Sequence, residues 1–236
     1  MAPSWIVPVL NWFAERFGNK LVVFTLDKIR SKLQSIFATR NILILGGSQT
    51  GKTSLVLFLT TGKPYVIEGG EIRPPEKTLG YAVVDKRVAL SEDLRVKLKR
   101  DLPGERDLRT YWRMALEEIR PTGIIYMLDG RIEGRELEGA IREIYDEVLS
   151  YYEEGSGAGL ESFHIFVNFV DQWGTTPVEI REKLRRISRK FDELLKDHES
   201  LHYIRVGCSA TQLSPFKDSW IEAERALFSF GADLLR

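Results

Sequence analysis

Gly46-Gly47-Ser48-Gln49-Thr50-Gly51-Lys52-Thr53 stands between two apolar runs, Asn41-Ile42-Leu43-Ile44-Leu45 before it and Ser54-Leu55-Val56-Leu57-Phe58-Leu59 after it. The first run reads as a short buried strand and the second as the start of a helix. Glycines between them let the backbone turn tightly, so that successive N–H groups point at one centre. The helix N-terminus adds further donors and a partial positive charge. A lysine followed by a hydroxyl residue completes a phosphate cradle, with Lys52 reaching terminal phosphates and the Thr53 hydroxyl available to Mg²⁺. A nucleoside triphosphate site is therefore expected, held by Gly47, Ser48, Gln49, Thr50, Gly51, Lys52, Thr53 and Ser54.

Outward from this stretch, apolar strands alternate with amphipathic helices. Strands are expected at 42–45, 81–84, 94–98, 123–128, 164–169 and 203–206, and helices at 52–60, 108–119, 136–154, 177–196 and 219–235. Such alternation predicts an α/β fold, a three-layer arrangement with a mainly parallel sheet and helices on both faces. In such sheets ligands bind beyond the carboxyl ends of the strands, and the polar motifs fall at those ends. Gly155-Ser156-Gly157-Ala158-Gly159 reads as a surface connector.

Two of these motifs belong with the phosphates. Asp101-Leu102-Pro103-Gly104 follows a strand with apolar residues at Leu94, Val96 and Leu98. A carboxylate there holds a metal directly or through water, and Gly104 can offer a backbone N–H to a terminal phosphate. Thr78, in the loop between the first helix and the second strand, is placed to close over Mg²⁺ and the γ-phosphate. Two more motifs belong with a base. Asn168-Phe169-Val170-Asp171 ends one strand and Cys208-Ser209-Ala210 ends the last. Asp171 could accept two hydrogen bonds from guanine, whereas adenine would leave that carboxylate unpaired. The backbone N–H of Ala210, next to Ser209, could meet the guanine carbonyl, so GTP is favoured over ATP.

In this order the motifs resemble the Ras-like small GTPase superfamily over roughly residues 40–236. Thr78-Leu79-Gly80 and Trp112 resemble the Arf-like branch, which includes the beta subunit of the signal-recognition-particle receptor. The resemblance implies a switch controlled by GTP and GDP with Mg²⁺ as cofactor. It implies that Thr53 and Thr78 ligate the metal, Asp101 acts through water, Lys52 holds the β- and γ-phosphates, and Asn168 and Asp171 frame guanine. Catalysis is then expected from Lys52, Thr78, Gly104 and Glu105. Glu105 departs from the glutamine usual in the family, and its charge faces the γ-phosphate. Phe169 replaces the lysine that usually lies along the base. Arg73 lies a few residues before Thr78 without forming a convincing arginine finger. Slow hydrolysis follows as the expectation, with a non-hydrolysing GTP-binding module and an NTPase of weak base selectivity as the alternatives.

The bulk properties limit the partners. Across 236 residues, 34 Lys and Arg balance 34 Asp and Glu, which gives no reason to expect nucleic acid. One cysteine excludes an internal disulfide framework and fits a reducing cytosol. No apolar run is long enough to span a bilayer, and no cleaved leader is expected. Residues 1–40 form a separate basic, aromatic extension before the 41–236 nucleotide domain. They hold six basic residues against two acidic ones, and Leu26, Ile29, Leu33, Ile36 and Phe37 recur at helical spacing. This extension either packs on protein or touches a membrane surface peripherally. Ala2 rules out a myristoylated glycine at that position. A protein effector or activating partner is expected, in the cytoplasm or peripherally at a membrane.

Overall fold

Strand β1 (Ile42–Gly46) is buried along its whole length, as an apolar run without alternation requires when both sheet faces are covered. The computed structural model describes residues 41–68, 71–73, 75, 82–89, 95–101, 110–155, 159–173, 176–214 and 220–234, with the backbone course alone for 82–89 and 95–101. The basic extension at 1–40, Thr78, Gly104 and Glu105 lie outside the described residues.

Helix α1 (Lys52–Thr61) follows β1, then a small hairpin of β2 (Val66–Glu68) and β3 (Glu71–Arg73). A second antiparallel pair, β4 (Ala82–Ala89) and β5 (Arg95–Asp101), lies beside β1. Next come α2 (Thr110–Ile119) and β6 (Gly123–Asp129). Helix α3 (Gly134–Ile144) runs through a π-helical turn at Tyr145–Leu149 into α4 (Ser150–Glu153). The chain closes with β7 (Ser162–Asn168), α5 (Pro177–Lys196), β8 (Arg205–Ala210) and α6 (Ile221–Leu234). Strands β1, β6, β7 and β8 form one parallel sheet in that order. Parallel neighbours joined through helices place those helices on the faces, and this chain uses both.

Strand periodicity sorts the core into two layers. Leu43, Leu45, Ile124, Tyr126, Leu128, Phe163, Ile165 and Val167 pack with Trp112 of α2 and Phe191 of α5 on one face. Ile42, Ile44, Ile125, Met127 and Phe166 pack with Leu55 and Phe58 of α1 and with Phe230 of α6 on the other. This is the three-layer α/β architecture that the alternation predicts. Helix α5 spans the predicted residues because its start is strongly specified. Pro177 occupies the first turn, and Thr176 and Glu179 form a reciprocal capping box.

Several elements differ in extent from the sequence expectation. Strand β8 begins at Arg205 rather than 203, because Ile204 N–H closes a turn onto the Leu201 carbonyl and Tyr203 is left exposed. Strand β5 starts at Arg95 and continues to Asp101, which pairs with Ala82 instead of following the strand. The β2–β3 hairpin has three-residue strands in which Glu68, Glu71 and Arg73 are charged, and this hides it from an apolar pattern.

One packing detail is peculiar to the α6 face. His164 of β7 is 1% exposed and lies across Gly207 of β8, its partner in register. A Cβ at Gly207 would stand 2.1 Å from the ring. The ring meets Phe166 and Phe230 edge-on, and its Nε2 lies 3.2 Å from Ser209 Oγ. Burial lowers the His164 pKa to about 4. Asp233 Oδ2 stands 4.0 Å from Nδ1, too far for a hydrogen bond, and does not overcome that cost.

Candidate functional site

The carboxyl ends of the four parallel strands carry Gly46, Asp129, Asn168 and Ala210, and four loops meet there. The first loop is the glycine-rich one. Gly46 (φ 141°) and Gly51 (φ 98°) adopt backbone that L side chains rarely enter. Space enforces the same choice: a Cβ at Gly46 would lie 2.3 Å from the Met127 carbonyl oxygen, and one at Gly51 would lie 2.3 Å from Asn168 Nδ2. Gln49 holds φ 59° at the exposed turn of the loop.

Lys52, the first residue of α1, folds back over this loop. Its Nζ donates to the carbonyls of Gly46 at 2.9 Å and Gly47 at 2.6 Å, and the residue is 6% exposed. Thr50 Oγ1 donates to the Gly47 carbonyl at 3.1 Å. Gly51 is the N-cap of α1 and offers no side-chain acceptor to the first turn. A buried ammonium on a ring of backbone dipoles, at an uncapped helix start, suits a polyanion. Ser48 is exposed, while Gly47, Thr53 and Ser54 are half-buried around the same turn.

Asn168 ties the cradle to the rest of the site. Its Nδ2 donates to the Thr50 carbonyl at 3.0 Å. Its Oδ1 accepts from Leu213 N–H at 3.2 Å and from Thr211 Oγ1 at 3.5 Å. Thr211 N–H in turn donates to the Val167 carbonyl. The Asn168 amide therefore joins loops 46–51 and 211–213 through groups that are all buried. Phe169 follows in the left-handed region at φ 63°. Asp171 is exposed in the turn Val170–Trp173.

The loop after β6 completes the arrangement. Gly130 N–H donates to the Asn168 carbonyl at 2.9 Å, and Trp173 Nε1 donates to the Gly130 carbonyl. Asp129 grips Arg131 by its backbone N–H at 2.9 Å, by Nε at 2.8 Å and by Nη2 at 2.6 Å. Burial would raise the Asp129 carboxyl, but the Arg131 hydrogen bonds and charge outweigh it and hold the pKa below the ordinary value. The Arg131 guanidinium lies over the Phe169 ring at 4.2 Å.

The structure thus gathers the predicted residues 47–54, Asn168, Phe169 and Asp171 at one end of the sheet. Asp101 ends β5 nearby in the chain's course beside β1. Ser209 and Ala210 lie inside β8, opposite Phe166 and Val167, with Ser209 turned toward His164. The residues that engage Asn168 come after them, at Thr211 and Leu213. Arg73 points elsewhere: it is exposed and bonds Glu71 at 2.8 Å, with Glu68 at 3.7 Å. The sequence reading missed Asp129, Gly130, Arg131, Trp173, Thr211 and Leu213. For Asp129 the available signal was a polar residue directly at the carboxyl end of an apolar strand, the same signal that marked Asn168.

A glycine cradle closed by a buried lysine, on a parallel sheet with helices on both faces, defines a P-loop protein of the Ras-like GTPase fold. The family model for the signal recognition particle receptor beta subunit matches residues 38–159, and the chain belongs to that family. The solved structure of the signal recognition particle receptor SRb-GTP/SRX complex from Chaetomium thermophilum is similar, at 16% identity and TM-score 0.52, covering 82% of this chain and 97% of that one. The SRb-GDP-Mg structure from the same organism is 18% identical with TM-score 0.52, covering 82% of this chain and 98% of that one. At such identities the likeness establishes the fold. No curated protein matches the chain. Among the described residues no helix is long and apolar enough to cross a membrane.

Proposed function

We propose that this chain is a GTP-binding switch that hydrolyses GTP slowly to GDP and phosphate with Mg²⁺. The observation that carries this reading is the cradle itself, where Lys52 Nζ sits buried on the Gly46 and Gly47 carbonyls while Gly51 is pressed against Asn168. That shape holds one buried cation beside the start of α1, where Gly51 puts no side-chain cap on the first-turn N–H groups, which fits a polyphosphate. The solved relatives of the same fold hold GTP or GDP with Mg, by their descriptions.

In this reading Lys52 and the amides of 47–54 neutralise charge on the β- and γ-phosphates. Thr53, Thr78 and Asp101 would hold Mg²⁺, which supplies further neutralisation of the phosphate oxygens. Gly104 and Thr78 report the γ-phosphate, and Glu105 faces the attacking water. Asp171 reads the Watson–Crick edge of guanine, and the backbone N–H of Ala210, next to Ser209, meets its carbonyl. The partner is a protein bound in the GTP state, as SRX is bound to SRb-GTP in the Chaetomium complex. Residues 1–40 would contact that partner or a membrane surface.

Titration calorimetry of the full chain with Mg²⁺–GTP and Mg²⁺–ATP tests the binding step. Tight heat with GTP and little with ATP is expected; no heat with either removes the reading. Equal affinities favour an NTPase of weak base selectivity, a result to which an aromatic Phe169 in place of lysine is suited. Single-turnover hydrolysis tests the chemistry. Release of phosphate over many minutes is expected, and intact GTP after prolonged incubation with Mg²⁺ makes the chain a non-hydrolysing module.

A further inference from the structure

The α6 face of the sheet is lined by Ile42, Ile44, Ile125, Met127 and Phe166, yet β7 places His164 among them, wholly buried. A leucine there would pack without the cost of burying two ring nitrogens. The ring instead crosses β8 over Gly207, its partner in register, and reaches Ser209, two residues further along that strand. A Cβ at 207 would stand 2.2 Å from Nε2, so glycine keeps that path open. Nε2 lies 3.2 Å from Ser209 Oγ, and this is the one hydrogen bond of the Ser209 side chain among the described residues. Nδ1 has no hydrogen-bond partner and has Asp233 Oδ2 of α6 at 4.0 Å. The neighbour in register on β6 is the apolar Ile125, and Arg205 of β8 donates to the Asp233 carbonyl. Burial keeps the ring neutral, its pKa lowered to about 4. A hydrogen on Nδ1 is attracted by the Asp233 carboxylate, whereas a lone pair there is repelled, so the neutral ring carries its hydrogen on Nδ1. Nε2 is then the acceptor, and the Ser209 hydroxyl donates to it.

The bond ties β8 to β7 one residue before Ala210, where the strand ends opposite Val167. Beyond it, Thr211 N–H donates to the Val167 carbonyl at 2.7 Å, and Leu213 N–H donates to Asn168 Oδ1 at 3.2 Å. Asn168 Nδ2 holds the Thr50 carbonyl of the glycine loop at 3.0 Å. We propose that His164 is a positioning residue for base specificity: by holding the Ser209 hydroxyl it fixes where the end of β8 presents the Ala210 N–H. This rests on the nucleotide-binding reading above, in which that N–H meets the guanine carbonyl. The Ser209 hydrogen, committed to Nε2, is not available to a base, so Ser209 acts through the strand. Adenine carries an amino group where guanine has its carbonyl, and a donor gains nothing from the Ala210 N–H. The effect of His164 therefore falls on guanine and spares what the glycine loop does for the phosphates.

The test compares the affinities of the full chain for Mg²⁺–GDP and Mg²⁺–ADP. Ser209→Ala and His164→Leu should each weaken GDP about fivefold, the worth of one hydrogen bond, and leave ADP unmoved. The two changes together should lose no more than either alone. His164→Gln keeps an acceptor for the Ser209 hydroxyl and should recover most of the GDP affinity. Nitrogen NMR of the histidine rings reads the bond without any nucleotide: His164 should carry its hydrogen on Nδ1, and Ser209→Ala should shift the Nε2 resonance as the acceptor loses its donor. Thermal melts separate loss of folding from loss of binding; should His164→Leu prove unstable, Ser209→Ala and the spectra decide. Equal losses for GDP and ADP, losses that simply add, a hydrogen on Nε2, or a wild-type chain that binds ADP as tightly as GDP overturn the positioning role. Wild-type protein that binds neither GDP nor GTP overturns the nucleotide reading itself, and the spectra still report on the bond.

Discussion

The two ends of the site are built from different materials. At the end proposed for the phosphates the chain uses main chain: two glycines at positive φ, two carbonyls, and one lysine folded onto them. At the end proposed for the base it uses side chains: Asn168 bridging loops, Asp129 gripping Arg131, and Phe169 under the guanidinium. Backbone geometry tolerates almost no substitution, whereas a side-chain platform can be rebuilt from other residues. In the proposed reading the glycine-loop end therefore follows a general pattern, while the other end departs from it at Phe169.

The sharpest way to break this comparison is Gly51→Ala. The new Cβ must stand 2.3 Å from Asn168 Nδ2 on backbone at φ 98°. Nucleotide affinity should fall by about a hundredfold or more, read by calorimetry, as the strained loop loses its shape. Normal binding by this variant would show that the cradle is not sterically fixed. Asn168→Ala comes next. It strips partners from the buried Thr50 carbonyl and the Leu213 N–H, and about 3 kcal/mol of stability should be lost in urea unfolding. A loss below about 0.5 kcal/mol, the level of an ordinary surface substitution, would mean that the two ends are not joined through this amide.

A third test concerns Ser209, expected at the base end but bonded to His164. His164 is held neutral by burial, its pKa lowered to about 4, whereas in the unfolded chain it titrates near the ordinary value. Between those two values the unfolded state binds the extra proton, so stability rises with pH there. The full contribution is present above about pH 6.5 and is lost progressively as pH falls toward 4, by at most about 3 kcal/mol. His164→Phe should flatten that slope between pH 4 and 6.5 in denaturant midpoints; an unchanged slope would assign it to other groups. The smallest expected effect is at Trp173, whose Nε1 donates to Gly130. Trp173→Phe should cost about 1 kcal/mol, measured by thermal melting.

How far the sequence revealed these ends follows from the same contrast. The cradle was legible because glycine spacing, lysine and a hydroxyl residue each have a mechanical role at a fixed offset. Helix α5 was legible from a proline at its first turn and a long amphipathic period. The division of the core into two faces was not legible, because β6 and β7 are buried along nearly their whole length with no alternation to mark a face. Strand β8 was ended four residues early, at 206, because Gly207 and Ser209 interrupt its apolar pattern, and their reason lies on β7, in the His164 ring. Arg131 was invisible because an arginine after a strand resembles any solvated turn. Only the register of Asp129 with Asn168 brings it to Phe169.

The ring of His164 resting on Gly207 makes those two sites one unit of inheritance. Enlarging 207 alone collides with the imidazole at 2.1 Å, and shrinking 164 alone opens a void between Phe166 and Phe230. Viable replacements should therefore lie along a diagonal, a smaller group at 164 accompanied by a larger one at 207. A randomised library at these two codons, selected for folding, would display that epistasis directly.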